Sequence, residues 1–335
     1  METDAARTGH GMILGKFMPP HAGHLHLVEF GRRFAASLSV LVCSLEREPI
    51  PGRLRYEWVR ELFPDVHAVP VTDDLPQEPA EHPRFWEIWR EVIRRAVGRP
   101  IDFVFASEPY GHRLAAELGA TFVPVDLARE SVPVSGSVIR ARPLDYWRYL
   151  PDCVRPYFVR RVCLFGPEST GKSTLARDLA AHFATAHVPE FARGWLDPRQ
   201  GVCTAEDIPI IARGQAAAEA SLARRAHRVL FCDTDLLTTA IWSDVLFGSC
   251  PPWIAEEARS AKYDLTLLLD VDVPWVDDSQ RYLPHLRREF FDRCRAALDA
   301  VGRRYVVIRG DWAERFASAC TVVETILHDE EWDGR

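Results

Sequence analysis

The sequence predicts an α/β protein of two domains, each a mostly parallel sheet with helices on both faces. Three observations predict it. Short β-branched or apolar runs alternate with amphipathic segments along the chain, the pattern of strand–helix–strand units. The 335 residues suffice for two α/β domains, and 47% hydrophobic residues can fill two cores. The halves open on different strand–loop–helix motifs, and no internal repeat or low-complexity tract occurs, so the second is not a copy of the first.

In the first half, strands are predicted at 11–17, 39–45, 67–71, 101–107 and 121–126. Between them, Phe85–Val97 places Phe85, Trp89, Val92, Ile93 and Ala96 largely on one helical face. In the second half the strands fall at 160–166, 187–191, 228–235, 263–270 and 305–310, with helices at 205–225 and 313–327. Two prolines interrupt the aromatic stretch 151–158, which marks the seam. The expected domains are therefore 11–150 and 159–330, with ligands beyond the carboxyl ends of the strands.

Composition excludes several function classes. A net charge of −7 argues against a sequence-independent grip on nucleic acid, while a few placed Lys and Arg residues still suffice for small anions. The eight cysteines form no C-x-x-C pair and sit mostly in apolar runs, as reduced cysteines do. No apolar run reaches the length of a membrane span, and METDAARTGH lacks a signal-peptide core. A cytoplasmic protein without membrane partners is expected; the sequence leaves homo-oligomerisation open.

The strongest motif is GPESTGKS, Gly166 to Ser173, which fits G-x-x-x-x-G-K-S/T at each fixed position. A strand precedes it and a helix follows. Its glycines let backbone N–H groups wrap phosphate, and the helix start adds partial positive charge. Gly166, Glu168, Ser169, Thr170, Gly171, Lys172, Ser173 and Thr174 are thus expected to hold ATP. Lys172 would reach the β- and γ-phosphates, and Ser173 would hold Mg²⁺. FCDTD puts Asp233 and Asp235 at a strand end, where a magnesium-binding carboxylate belongs. VPEFAR puts Glu190 and Arg193 beside the expected acceptor. PWVDDSQR (274–281) carries Asp277, Asp278 and Arg281 and suits a lid. Glu190 is the first choice for the acceptor hydroxyl and Asp233 for magnesium, although the two roles could be exchanged.

The first half opens with GKFMPPHAGHLHLVE. Gly15, Lys16 and Phe17 end a strand, and His21, Gly23 and His24 open a helix. Such an H-x-G-H turn suits in-line attack on an α-phosphate, stabilised by imidazoles and the helix start, with no covalent nucleophile. His26 points away from the other two histidines and no nearby carboxylate completes a set, which disfavours a transition-metal site. Further on, VSGSVIRARP supplies a second phosphate-binding turn from Ser135, Gly136, Ser137 and Arg140. Arg140 would neutralise the leaving pyrophosphate. The first domain reads as a Rossmann-like nucleotidyltransferase and the second as a P-loop NTPase-type kinase.

GKFMPPHAGH, FASEP (105–109), SGSVIR, GPESTGKS, FCDTD and PWVDD, in this order, resemble the bifunctional nicotinamide-nucleotide adenylyltransferase and ribosylnicotinamide kinase of the NadR type, over roughly residues 11–328. The resemblance implies an NAD salvage enzyme. Its kinase domain would phosphorylate nicotinamide riboside to the mononucleotide, NMN. Its transferase domain would join NMN to AMP from ATP, giving NAD and pyrophosphate. It further implies that Lys16, His21, His24 and Arg140 bind ATP phosphates, that Phe17 lies near nicotinamide, and that Ser107 and Glu108 lie near adenosine. Trp86 or Trp89 would stack on the pyridinium ring or else be core. Relatives have Gly where Ser279 stands in the lid, and some carry an N-terminal helix-turn-helix domain. About ten residues precede the first strand here, so no repressor role is expected. A pantetheine-phosphate adenylyltransferase joined to a kinase, and a nucleotide sensor without turnover, are the competing readings.

Overall fold

The structure is a computed structural model, and it describes residues 7–276 and 285–328. The chain forms two compact units that divide between Val154 and Arg155.

In the first unit the order is β1 (Thr8–Gly15), α1 (Ala22–Phe34), β2 (Ala35–Cys43), α2 (Gly52–Leu62), β3 (His67–Val71), α3 (Phe85–Val97), β4 (Phe103–Ala106), α4 (Tyr110–Leu118), β5 (Thr121–Pro124) and α5 (Gly136–Ala141). The sheet order is β3-β2-β1-β4-β5, all parallel, with Ile13 opposite Val40 on one side and Phe105 on the other. Alternation along β1 sends Met12 to the layer holding Trp89, Ile93 and Leu114, and Ile13 to the layer holding Leu27, Val28 and Val59. The strand order reverses at β1 and β4, which opens a crevice at their carboxyl ends. β1 stops at Gly15 rather than 17 because Phe17 turns the chain at φ 47°.

The second unit runs α6 (Arg155–Phe158), β6 (Arg160–Phe165), α7 (Lys172–His182), β7 (His187–Val188), α8 (Phe191–Leu196), α9 (Ile208–Ala223), β8 (Val229–Asp233), α10 (Leu236–Phe247), α11 (Pro252–Ser260), β9 (Leu265–Leu269), α12 (Arg287–Ala300), β10 (Tyr305–Ile308) and α13 (Trp312–His328). Its parallel sheet has the order β10-β9-β6-β8-β7. Val162 and Leu164 pack under α7 and α13, whereas Cys163 and Phe165 pack under α10, α11 and α12. β7 is shorter than the predicted 187–191 because Pro189 has no N–H for the ladder and Glu190 already caps α8. The cysteines are free thiols, and among the described residues no helix is long and apolar enough to cross a membrane.

Candidate functional site

In the first unit, the loop after β1 delivers His21 as the N-cap of α1. Its Nδ1 accepts the Gly23 N–H at 3.1 Å, which leaves the hydrogen on Nε2. The His21 and His24 rings lie 4.0 Å apart, and Phe17 lies 4.6 Å from His24. Burial, with Arg129 nearby, pushes His21 down to about 4. Burial, then His21 and Arg129, holds His24 well below the usual imidazole range. Both rings are therefore neutral near pH 7, and His24 Nδ1 is buried with no hydrogen-bond partner in the protein. A buried, unpaired ring nitrogen at a helix start is poised for a ligand atom.

Ser135 caps α5 by accepting the Val138 N–H and lies 3.0 Å from the Ser137 hydroxyl. A Cβ on Gly136 would come within 2.9 Å of the Met18 carbonyl, and Arg140 donates to that same carbonyl at 2.5 Å. The two phosphate-type turns are thus joined. Ser107 and Glu108 follow β4 at the other side of the crevice, where Arg129 pairs with Glu108 at 3.2 Å.

Lys16 meets the Glu48 carboxylate at 2.8 Å. Arg55, fully buried, binds Glu48 at 2.6 Å and donates to the carbonyls of Lys16 and Cys43. Burial pushes the Glu48 carboxyl up. Hydrogen bonds from Lys16, the Leu45 N–H and Arg55 outweigh it and hold the group below its ordinary range. Sequence reasoning missed Glu48, Arg55 and Arg129, since no local motif marks them.

Phe17 and Trp89 both pack in the core layers of the first unit. The Phe17 ring is 1% exposed and belongs to the core, where it supports the His24 imidazole. Trp89 donates its indole N–H to the Pro76 carbonyl at 2.9 Å and lines a small cavity with Cys43, Ser44 and Glu48. Trp86 is half-buried, edge-on to Phe85, with Arg113 over its face.

In the second unit the loop between β6 and α7 wraps through positive φ at Gly166, Ser169 and Gly171. Lys172 Nζ and the Thr170 hydroxyl both donate to the Pro167 carbonyl, at 2.7 and 2.8 Å. A cavity of about 340 Å³ adjoins this loop. Glu168, Ser169, Thr170, Gly171, Lys172, Ser173 and Thr174 form one wall, and Glu190, Arg193, Gln215, Thr238 and Trp242 contribute to the rest. Gln215 fixes the two carboxylate-bearing turns relative to each other. It accepts the Phe191 N–H at 3.0 Å and donates to the Thr234 carbonyl at 3.4 Å.

Burial, then the charge of Asp233, raises Glu190 to about 7. Burial also raises Asp233, partly offset by Lys172 and Ser173. Asp233 Oδ1 is buried and lacks a hydrogen-bond partner. An unsatisfied carboxylate oxygen beside the Ser173 hydroxyl is an all-oxygen donor set that suits Mg²⁺, whose remaining positions phosphates and water fill. Among the described residues no cluster of three or more His, Cys, Asp or Glu forms a ready-made metal cage.

Asp235 does not line the cavity. Its carboxylate caps α10 through the Thr238 N–H at 2.9 Å and pairs with buried Arg303, so its surroundings are structural. Asp277, Asp278, Ser279 and Arg281 lie outside the described residues. Asp207 is a further residue missed in the sequence. It accepts from Trp195 Nε1, Arg199 and the Thr204 N–H, and so ties down the α8–α9 segment at the cavity.

Residues 161–315 match the model of an AAA domain. The chain is 28% identical, over 345 residues, to the trifunctional NAD biosynthesis/regulator protein NadR of Escherichia coli, covering 96% of this chain and 84% of that protein. A crystal structure of NadR protein in complex with NR superposes with a TM-score of 0.79 at 19% identity, covering 96% of this chain and 97% of that one. Another, of NadR protein with NAD and AMP-PNP, gives 0.78 at 19% identity, with 95% and 96% covered. The α/β folds of the two units have counterparts in these structures, and the chain is homologous to NadR along most of its length.

Proposed function

We propose that the chain is a bifunctional NAD salvage enzyme, with ribosylnicotinamide kinase activity in the second unit and nicotinamide-nucleotide adenylyltransferase activity in a Rossmann-like first unit. The observation that carries the reading is that one chain holds both a neutral two-histidine helix start, in the same unit as Lys16 and Arg140, and a P-loop cavity lined by Glu190. It does so along a sequence homologous to NadR over 96% of its length.

In the kinase unit, nicotinamide riboside occupies the cavity and ATP lies on the P-loop. The riboside 5′-hydroxyl attacks the γ-phosphorus, its proton passes to Glu190, and the bond to the β,γ-bridging oxygen breaks to give NMN and ADP. Lys172 follows the charge on the transferred phosphoryl group. Ser173 and Asp233 would hold Mg²⁺, which supplies charge neutralisation of the donor phosphates. Gln215 keeps Glu190 in register with the β8 turn.

In the transferase unit, a phosphate oxygen of NMN attacks the ATP α-phosphorus and pyrophosphate leaves. No covalent intermediate and no general base are needed, because the nucleophile is already anionic. His21 Nε2–H and His24 donate to the developing negative charge, while Lys16 and Arg140 hold the phosphates. Ser135 and Ser137 would shape the second phosphate turn, and Ser107 and Glu108 would contact the adenosine.

A substrate panel tests the reading. Nicotinamide riboside with ATP should yield NMN and ADP, and NMN with ATP should yield NAD and pyrophosphate. Turnover of phosphopantetheine in place of NMN would reject it.

A further inference from the structure

We infer that Trp312 is the stacking platform for the purine base of the phosphate donor in the second unit; the inference rests on the kinase reading above. Trp312 opens α13, directly after β10, and is 56% exposed. Its indole therefore keeps an open face, and an aromatic face can stack on a planar ligand. Its position is not that of a loose surface side chain. A Cβ on Gly171 would overlap the six-membered ring of Trp312, so the indole rests on the last residue of the phosphate loop. Gly171 itself sits at φ 85°, which independently calls for glycine.

One turn further along α13, Arg315 fixes this arrangement. Its guanidinium is 1% exposed and donates to the carbonyls of Gly310, Thr170 and Asp270, at 2.9, 2.8 and 2.9 Å, and pairs with Asp272. The phosphate loop, the end of β9 and the start of α13 are thereby held as one piece, with the indole 5.8 Å from that guanidinium. Trp312 is absent from the lining of the acceptor cavity, so its open face serves a different moiety. A nucleotide whose phosphates lie in the loop carries a flat heteroaromatic base, and an anchored indole beside that loop matches it by stacking.

The test assays the full chain for ADP release from ATP with nicotinamide riboside, and in parallel for pyrophosphate release from ATP with NMN. Trp312→Ala should raise the KM for ATP in the first assay about tenfold. It should leave the KM for riboside, and the KM for ATP in the second assay, unchanged. Trp312→Phe should recover most of the loss. An unchanged KM for ATP in the first assay overturns the platform and leaves the kinase reading standing. An equal rise in the KM for riboside, or a fall in kcat that phenylalanine does not restore, shows that the indole merely props Gly171 and also overturns it. Failure of the unsubstituted chain to release ADP overturns the kinase reading, and the platform with it.

Discussion

The charge of Asp233 adds to burial in raising the proton affinity of Glu190, which titrates at about 7. The folded state therefore binds this proton more tightly than an ordinary glutamate near 4.5 does. The stability this supplies is complete below about 4.5 and is lost as pH rises through 7. With Glu190 as the proposed acceptor of the riboside proton, phosphorylation requires the deprotonated form, and kcat should climb as pH passes about 7. Glu190→Gln should lower that kcat by about 10²–10⁴-fold, and should raise the melting temperature at pH 8 but not at pH 5. Rate profiles and thermal unfolding at both pH values check this. A flat kcat profile from pH 5.5 to 8.5 would contradict the assignment.

The histidines of the first unit behave in the opposite sense. His21 stays neutral down to about 4 because burial disfavours its cation. Its contribution to stability is present above about 6.5 and is lost as pH falls through 4. NMR titration of the imidazole resonances should show no His21 transition between pH 5 and 8. A midpoint near 6.5 would reject the neutral-donor role.

Arg55 stitches Lys16 and Cys43, at the ends of β1 and β2, to Glu48. Replacing it by Met removes a partner from a buried carboxylate and should cost about 3–5 kcal/mol. The loss should appear in denaturant unfolding of the first unit, with slowed adenylyl transfer. Glu48→Gln should free Lys16 and raise the KM for ATP in that reaction alone. Equal effects on riboside phosphorylation would count against a local role.

Arg303 neutralises Asp235 inside the second unit, where both are nearly sequestered from solvent. Arg303→Met should destabilise that unit by about 3–5 kcal/mol. Adding Asp235→Asn should return part of the loss. Amide exchange in β8 and α10 reads the effect, and strictly additive losses would show that the pair is not coupled.

Strands and helices were legible where pattern and turn chemistry agreed. Phe85–Val97 is a helix with the residue limits its apolar periodicity predicts. The phosphate turns were legible because glycine spacing fixes them locally. The support around them was not. Arg55 reaches Lys16 from 39 residues away, and Arg315 reaches Thr170 from 145. Such long-range satisfaction of buried groups leaves no periodic trace. Phe17 and Asp235 show local roles that the motifs do not reveal. Both sit inside informative motifs, yet one is spent on the core and the other on a helix cap. Trp312, which lies outside every motif, stands out only once its neighbour Gly171 is seen in space.

If the chain carries two independent active sites, two variants that each disable one site should complement each other. Lys172→Ala and His24→Ala are each supplied with nicotinamide riboside, ATP and Mg²⁺, separately and then mixed, while NMN, NAD, ADP and pyrophosphate are followed. Lys172→Ala alone should make nothing from riboside but should convert added NMN to NAD. His24→Ala alone should accumulate NMN with ADP, with adenylyl transfer reduced about 10²–10³-fold. The mixture should produce NAD and pyrophosphate after a lag set by NMN release. Loss of both activities in either folded variant, or a mixture that yields no more NAD than the separate proteins, would contradict the account.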